Sequence, residues 1–172
     1  AYSVSAVFAK ITAIGANLDN VMAIGGADSR VYQGSPPGPL YQMHVESLTS
    51  IDLHPFPTSV VEPAIDIATA QNTTCAVFKS GSVYCQGSNQ DGQVGHVGQC
   101  TSVNEGANRV PIPSPVSLIM AETEFFCAIT NNGQIYCWGL DRNHVISSAG
   151  TGISPTTSGC AESSVPSPQH LD

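Results

Sequence analysis

Two stretches of the chain alternate apolar with small or polar positions in short runs broken by polar turns. CAVFKSGSVYC (Cys75 to Cys85) alternates around Lys79 to Ser82. CAITNNGQIYC (Cys127 to Cys137) does the same around Asn131 to Gln134, and its Asn-Gly step is a strong turn signal. Each pattern predicts an antiparallel hairpin. Ile65 to Ala70 and Val116 to Met120, just ahead of the hairpins, read as a third strand, and the polar segment after each hairpin carries a weak fourth. One such sheet cannot bury both of its faces, so the copies must stack on one another.

The two stretches are copies of one unit. Setting Cys75 on Cys127 and Cys85 on Cys137 gives the same offset of 52 residues (127 − 75 and 137 − 85). A more divergent copy precedes them in ITAIGANLDNVMAIGGADSRVYQGS, Ile11 to Ser35, with Met22 opposite Cys75, Tyr32 opposite Cys85 and Gly34 opposite Gly87. A Pro-punctuated apolar segment follows each copy: LHPFPTSVV, VPIPSPVSL and VPSPQHL. The expected organisation is one repeat domain over residues 1–172, with repeats at about 10–50, 51–109 and 110–164. Residues 165–172 are then the start of an unfinished repeat or an exchanged strand.

The order Ala, β-branched residue, polar turn with Gly, apolar-Tyr-Cys, then Trp-Gly or Gln-Gly, with NQDGQVG in one copy, resembles the repeat of the regulator of chromosome condensation family. The resemblance covers 65–95 and 117–139 well and 11–35 poorly. It implies an all-β fold of antiparallel four-stranded blades in a partial or open β-propeller of about three repeats, disulfide-bonded like the Cys-bearing secreted microbial members. It implies a fold rather than a job, since propellers of this kind serve unrelated ends. Two departures stand out: Gln86 and Gln33 occupy the place of Trp138, and DRNHVI (Asp141 to Ile146) replaces the Asn- and Gly-containing segment.

Composition narrows the function. Charged residues make up 10% of the chain, against roughly 25% in an average soluble protein, so the surface is Ser, Thr, Asn, Gln and Gly. The net charge of −8 leaves only Lys10, Lys79, Arg30, Arg109 and Arg142 as cations. That argues against nucleic acid as a partner and against anionic lipid. No apolar run approaches the roughly 18 residues of a membrane-spanning helix, so no membrane insertion is expected. A start at Ala1 fits the mature form of a secreted chain, and a trimmed chain begins the same way. Six cysteines without a CxxC pair favour disulfides, and with them an extracellular or cell-surface location.

Cys75 with Cys85, and Cys127 with Cys137, face each other across the predicted hairpins and can bridge if the register brings their Cα atoms within about 7 Å. Cys100 and Cys160 lie in equivalent connections and either pair with each other or bond between molecules. Asn72-Thr73-Thr74 is an N-glycosylation sequon ahead of a strand, expected to be modified if the source is eukaryotic. His44, His54, His96, His144 and His170 are scattered over different repeats without HxxxH spacing, so no metal site is expected. No nucleophile elbow or phosphate loop occurs, and Glu122 and Glu124 read as solvated strand residues, so neither a catalytic site nor a cofactor is expected. Trp138, Tyr136, Tyr84 and Phe126 read as packing between blades.

Three sheets of a propeller leave an uncovered face at each end. They can be covered by the rest of a longer propeller, by a second copy closing a ring, or by copies adding head to tail. The favoured expectation is a non-enzymatic extracellular structural protein that self-assembles into a filament or other homo-oligomer, with AYSVSAVFAKI at the amino end as a donor strand. The alternative is a ligand-binding module of a secreted propeller that recognises a protein or glycan through Gly34 to Tyr41, Gly95 to Val110 and Ser147 to Ser164.

Overall fold

The computed structural model describes residues 11–16, 21–25, 30–34, 54–55, 62–70, 72–95, 100, 104–123, 125–141, 146 and 164–171. These residues form three four-stranded antiparallel sheets in chain order. The first holds β1 (Ile11–Ala16), β2 (Val21–Gly25), β3 (Arg30–Gly34) and β4 (His54–Pro55). The second holds β5 (Ala64–Ala70), β6 (Thr73–Phe78), β7 (Val83–Gly87) and β8 (Asn104–Arg109). The third holds β9 (Val116–Ala121), β10 (Phe125–Thr130), β11 (Ile135–Leu140) and β12 (Ser164–Leu171).

The hairpin turns follow the sequence pattern. Phe78 N–H donates to Ser82 O and Thr130 N–H to Gln134 O, both at 2.9 Å, and Gly81 and Gly133 take φ of 80° and 83° in the turns. Left-handed backbone is cheap only for glycine, which fixes where the turn falls. Just past each strand end, Lys79 N–H reaches Pro63 O at 2.9 Å and Asn131 N–H reaches Pro115 O at 2.8 Å. The prolines that punctuate the sequence thus sit where a new sheet begins beside the turn of its own hairpin. Their carbonyls accept, and their missing N–H is not called upon.

Alternation gives the second sheet two apolar faces. Ala64, Ile67, Ala76 and Phe78 cluster with Ile24 of the first sheet, with Tyr84 packed against them. Ala68, Ala70, Cys75, Val77, Val83 and Cys85 cluster with Val116, Ile119, Phe126, Ala128 and Trp138 of the third. The hydrophobic core is therefore a series of sheet-to-sheet layers, and burying one Phe-sized side chain in such a layer contributes about 1.5–3 kcal/mol.

Two sequence expectations are corrected. Residues 165–172 do not begin a new repeat: Ser164–Leu171 pairs with β11 and completes the third sheet. Pro166 and Pro168 are tolerated in this strand because β12 is at a sheet edge. Its ladder is also irregular between the pairs Gly139↔Val165 and Cys137↔Gln169, so the missing N–H groups interrupt no regular pairing. In the first repeat Met22 pairs with Gln33 rather than Tyr32, and Tyr32 pairs with Ala23. The first hairpin is longer by one residue than the other two, and a one-residue slip exchanges the faces of a strand.

Candidate protein-interaction surface

The boundary between the second and third sheets is held by polar groups as well as by apolar packing. Asp66 on β5 accepts from Ile67 N–H at 2.9 Å through Oδ1 and from Ile119 N–H at 2.8 Å through Oδ2, joining the first strands of the two sheets. Val116 N–H donates to Gly81 O at 2.9 Å, and a Cβ added at Gly81 would lie 2.5 Å from Pro115 Cβ, so the turn of one sheet seats closely on the start of the next. The indole N–H of Trp138 donates to Gln93 O at 2.9 Å, and the ring stacks on Phe126 with centroids 5.9 Å apart.

The loops leaving the second and third sheets share one device. Asn89 Oδ1 accepts from Val94 N–H at 3.0 Å, and Asp141 Oδ1 accepts from Ile146 N–H at 2.8 Å. All four residues are buried. DRNHVI, a departure in sequence, keeps this hydrogen bond because a carboxylate oxygen accepts as an amide oxygen does.

The third sheet has a face with no sheet upon it among the described residues, and Ile146 covers part of it by packing against Cys137, Cys127, Phe125 and Leu171. Leu118, Ile129, Ile135 and Leu171 are directly paired across all four strands, and Met120, Cys127, Cys137 and Gln169 form the next row. Leu118 is 41% exposed, Met120 49% and Ile135 38%. In the second sheet the corresponding rows run Asp66, Val77, Val83 and Ala68, Cys75, Cys85, Asn108, and the third sheet covers them until the valines and cysteines are at most 1% exposed. No side chain on the two rows of the open face is charged. Sequence reasoning foresaw uncovered faces but not these residues; the signal was there in large apolar Leu118 and Met120 at the repeat positions of Asp66 and Ala68.

The sequence-predicted residues fall as follows. Cys75–Cys85 and Cys127–Cys137 are disulfides, with Cα atoms 4.1 Å apart in each. Cys100 is also disulfide-bonded, and Cys160 lies outside the described residues. Asn72 is exposed in the turn between β5 and β6. His170 lies against Tyr136 with ring centroids 5.2 Å apart, and His54 is in β4. His44, His96, His144 and Glu124 lie outside the described residues, while Glu122 caps the backbone N–H of Thr123 at 3.1 Å. Among the described residues no three His, Cys, Asp or Glu side chains gather as metal ligands. Tyr84 meets Phe78 edge-on with centroids 5.6 Å apart, in keeping with a packing role. Residues 1–10 and most of the long connections lie outside the described residues, and part of 95–110 forms β8.

Residues 123–144 match the family model of the Regulator of chromosome condensation (RCC1) repeat. A comparison with curated protein sequences found no match. Among solved structures the chain is similar to human WBSCR16, with a TM-score of 0.71 and 13% identity over 95% of this chain and 39% of that one. It is also similar to yeast RCC1 (Prp20) solved with Kap60 bound, with a TM-score of 0.67 and 18% identity over 95% of this chain and 37% of that one. A further structure is Prp20p from Saccharomyces cerevisiae, described with its binding properties to Gsp1p and histones; it gives a TM-score of 0.65 and 12% identity over 92% of this chain and 37% of that one. The chain spans less than two fifths of the length of these structures.

Proposed function

Because this chain is built of β-propeller repeats of the regulator of chromosome condensation type, we propose that it is a non-enzymatic, extracellular protein-binding module whose partners are other copies of itself. The observation that carries this reading is serial stacking. Each sheet boundary removes an apolar face from water, and the third sheet presents such a face with Leu118, Met120 and Ile135 exposed. Contiguous exposed apolar patches on a globular protein mark sites of association. Disulfides within two of the sheets suit an oxidising compartment, and Cys100 with Cys160 is the remaining intramolecular pairing we propose there. The exposed Asn72 turn is accessible for glycan attachment in a eukaryotic secretory pathway.

Mass photometry with negative-stain imaging of the non-reduced protein over a range of concentrations tests the reading. Fibres or growing oligomers support it, and a species that stays monomeric at the highest concentration overturns it. The second reading, recognition of a different protein or glycan through the loops, draws support from the fold neighbour Prp20, whose structures are described with Gsp1p, histones and Kap60 as binding partners. It predicts a stable monomer with a separable ligand.

A further inference from the structure

Asn132 is the one asparagine in the sequence that is followed by glycine. The turn between β10 and β11 does not itself call for that pair. In the second sheet Ser80 and Gly81 hold the same places, 52 residues earlier (132 − 80 and 133 − 81), and make the same turn. Asn132 and Gly133 are both exposed, and a Cβ at Gly133 would meet nothing within 4 Å. Ser80 is exposed as well, although the third sheet packs on the second, so exposure at this position does not depend on what covers the sheet.

An asparagine side-chain amide is a weak electrophile, and chain connectivity holds one nucleophile beside it, the backbone nitrogen of the next residue. Attack closes a five-membered ring. A side chain on that next residue crowds the attack, and glycine has none. In this turn Gly133 N–H donates to Thr130 O at 2.9 Å, the Thr130 hydroxyl lies against Asn132 Oδ1, and Asn132 Nδ2 donates to Gln134 Oε1 at 2.9 Å. These bonds hold the two reacting groups apart, yet all of them close within residues 130–134 at a hairpin tip, where local opening is low in free energy.

The Asp91–Gly92 step is held more firmly. Asp91 N–H donates to Gln93 Oε1 at 2.9 Å, and Asp91 Oδ2 accepts from Gln93 Nε2 at 3.2 Å. Gln93 is buried, and its carbonyl takes the indole N–H of Trp138, so opening this loop disturbs the boundary between two sheets. An ionised carboxylate is also a poorer electrophile than an amide.

We propose that Asn132 is a site of self-modification, at which the chain converts its own turn without an enzyme. Gly133 N gives its proton to hydroxide and bonds to Asn132 Cγ. The Cγ–Nδ2 bond breaks, and ammonia leaves with a proton from water, which closes a succinimide. A water molecule then adds to one of the two ring carbonyls and breaks that carbon's bond to the ring nitrogen, which takes up the proton. Opening at Cγ gives aspartate. Opening at the backbone carbonyl gives isoaspartate, whose main chain runs through the former side chain and is longer by one carbon. The turn gains a carboxylate in either case, between strands that Cys127–Cys137 keeps joined.

Prolonged warm incubation of the non-reduced protein at neutral and at mildly alkaline pH tests this, read by peptide mass spectrometry and by isoaspartate methyltransferase labelling. Asn132 is expected to convert ahead of every other asparagine and ahead of Asp91, faster at the higher pH, to a mixture of aspartate and isoaspartate. A peptide spanning Ile129 to Ile135 gives the unrestrained rate, and the folded turn is expected to react about tenfold more slowly. Gln134→Ala releases Nδ2 and is expected to raise the rate in the protein about threefold. Asn132→Ser copies the turn at Ser80 and is expected to fold and to show no conversion there. An Asn132 that stays intact in the protein after the peptide is fully converted overturns the proposal, as does conversion that begins at another asparagine.

Discussion

The indole N–H of Trp138, in the third sheet, donates to the carbonyl of Gln93, in the loop leaving the second, at 2.9 Å, and both residues are fully buried. Trp138→Phe keeps the apolar surface facing Phe126 and removes the donor. A buried carbonyl left without that partner costs about 1–3 kcal/mol, so the urea midpoint is expected to fall with an unchanged m-value. Trp138→Ala removes the packing as well and is expected to cost more, about 3–5 kcal/mol.

Glycines at positive φ separate strain from collision. A Cβ at Gly87 (φ 120°) would lie 2.0 Å from Asn72 O, whereas one at Gly133 (φ 83°) meets nothing within 4 Å. Gly133→Ala is expected to cost only the left-handed backbone preference, about 1–2 kcal/mol. Gly87→Ala must in addition move backbone, and its loss in a denaturant titration is expected to be clearly larger or to prevent folding.

Asp66 uses its two carboxylate oxygens on backbone groups of two different sheets. Asp66→Asn retains one acceptor oxygen and Asp66→Ala none. Losing the bond to Ile119 N–H is expected to cost about 1–3 kcal/mol. Hydrogen exchange provides the local check: the Ile119 amide is expected to exchange faster in both variants, beyond the change in global stability.

The two hairpin disulfides differ in their surroundings. Cys75 and Cys85 are fully buried beneath the third sheet, while Cys127 is part exposed on the open face. Timed treatment with a mild reductant, followed by alkylation and peptide mass spectrometry, is expected to open Cys127–Cys137 first. Removing either bridge is expected to lower stability by about 2–4 kcal/mol. Equal rates would show that the second and third sheets separate as readily as the open face is reached.

The hairpins, the cysteine pairs and the repeat offset were legible because their causes are local: alternation, a turn glycine and facing cysteines within one short segment. What escaped has causes elsewhere in the chain. Asp66 looks like an ordinary strand carboxylate until Ile119, which belongs to another sheet, is placed beside it. Ser164–Leu171 reads as the start of a further repeat or as an exchanged strand until its pairing with β11, on the far side of a long connection, shows which sheet it completes. Asp141 took over the bond made by Asn89 with a different residue type, so letter matching counted as a loss what oxygen chemistry retained. In the first repeat, with no cysteine to anchor the alignment, the register moved by one residue.

Serial stacking also shapes how the molecule comes apart. The second sheet has a neighbour on each side, while the third has only one within this chain, and the bonds of Asp66 and Trp138 join the third to the second. In such a one-dimensional array, stability is a sum of units and of the boundaries between them. Opening the boundary at Trp138 exposes the valines and the Cys75–Cys85 bridge of the second sheet while leaving its other face against Ile24 intact. A partner seated on the third sheet that holds this boundary closed slows the exposure of the Cys75–Cys85 bridge, which it never touches.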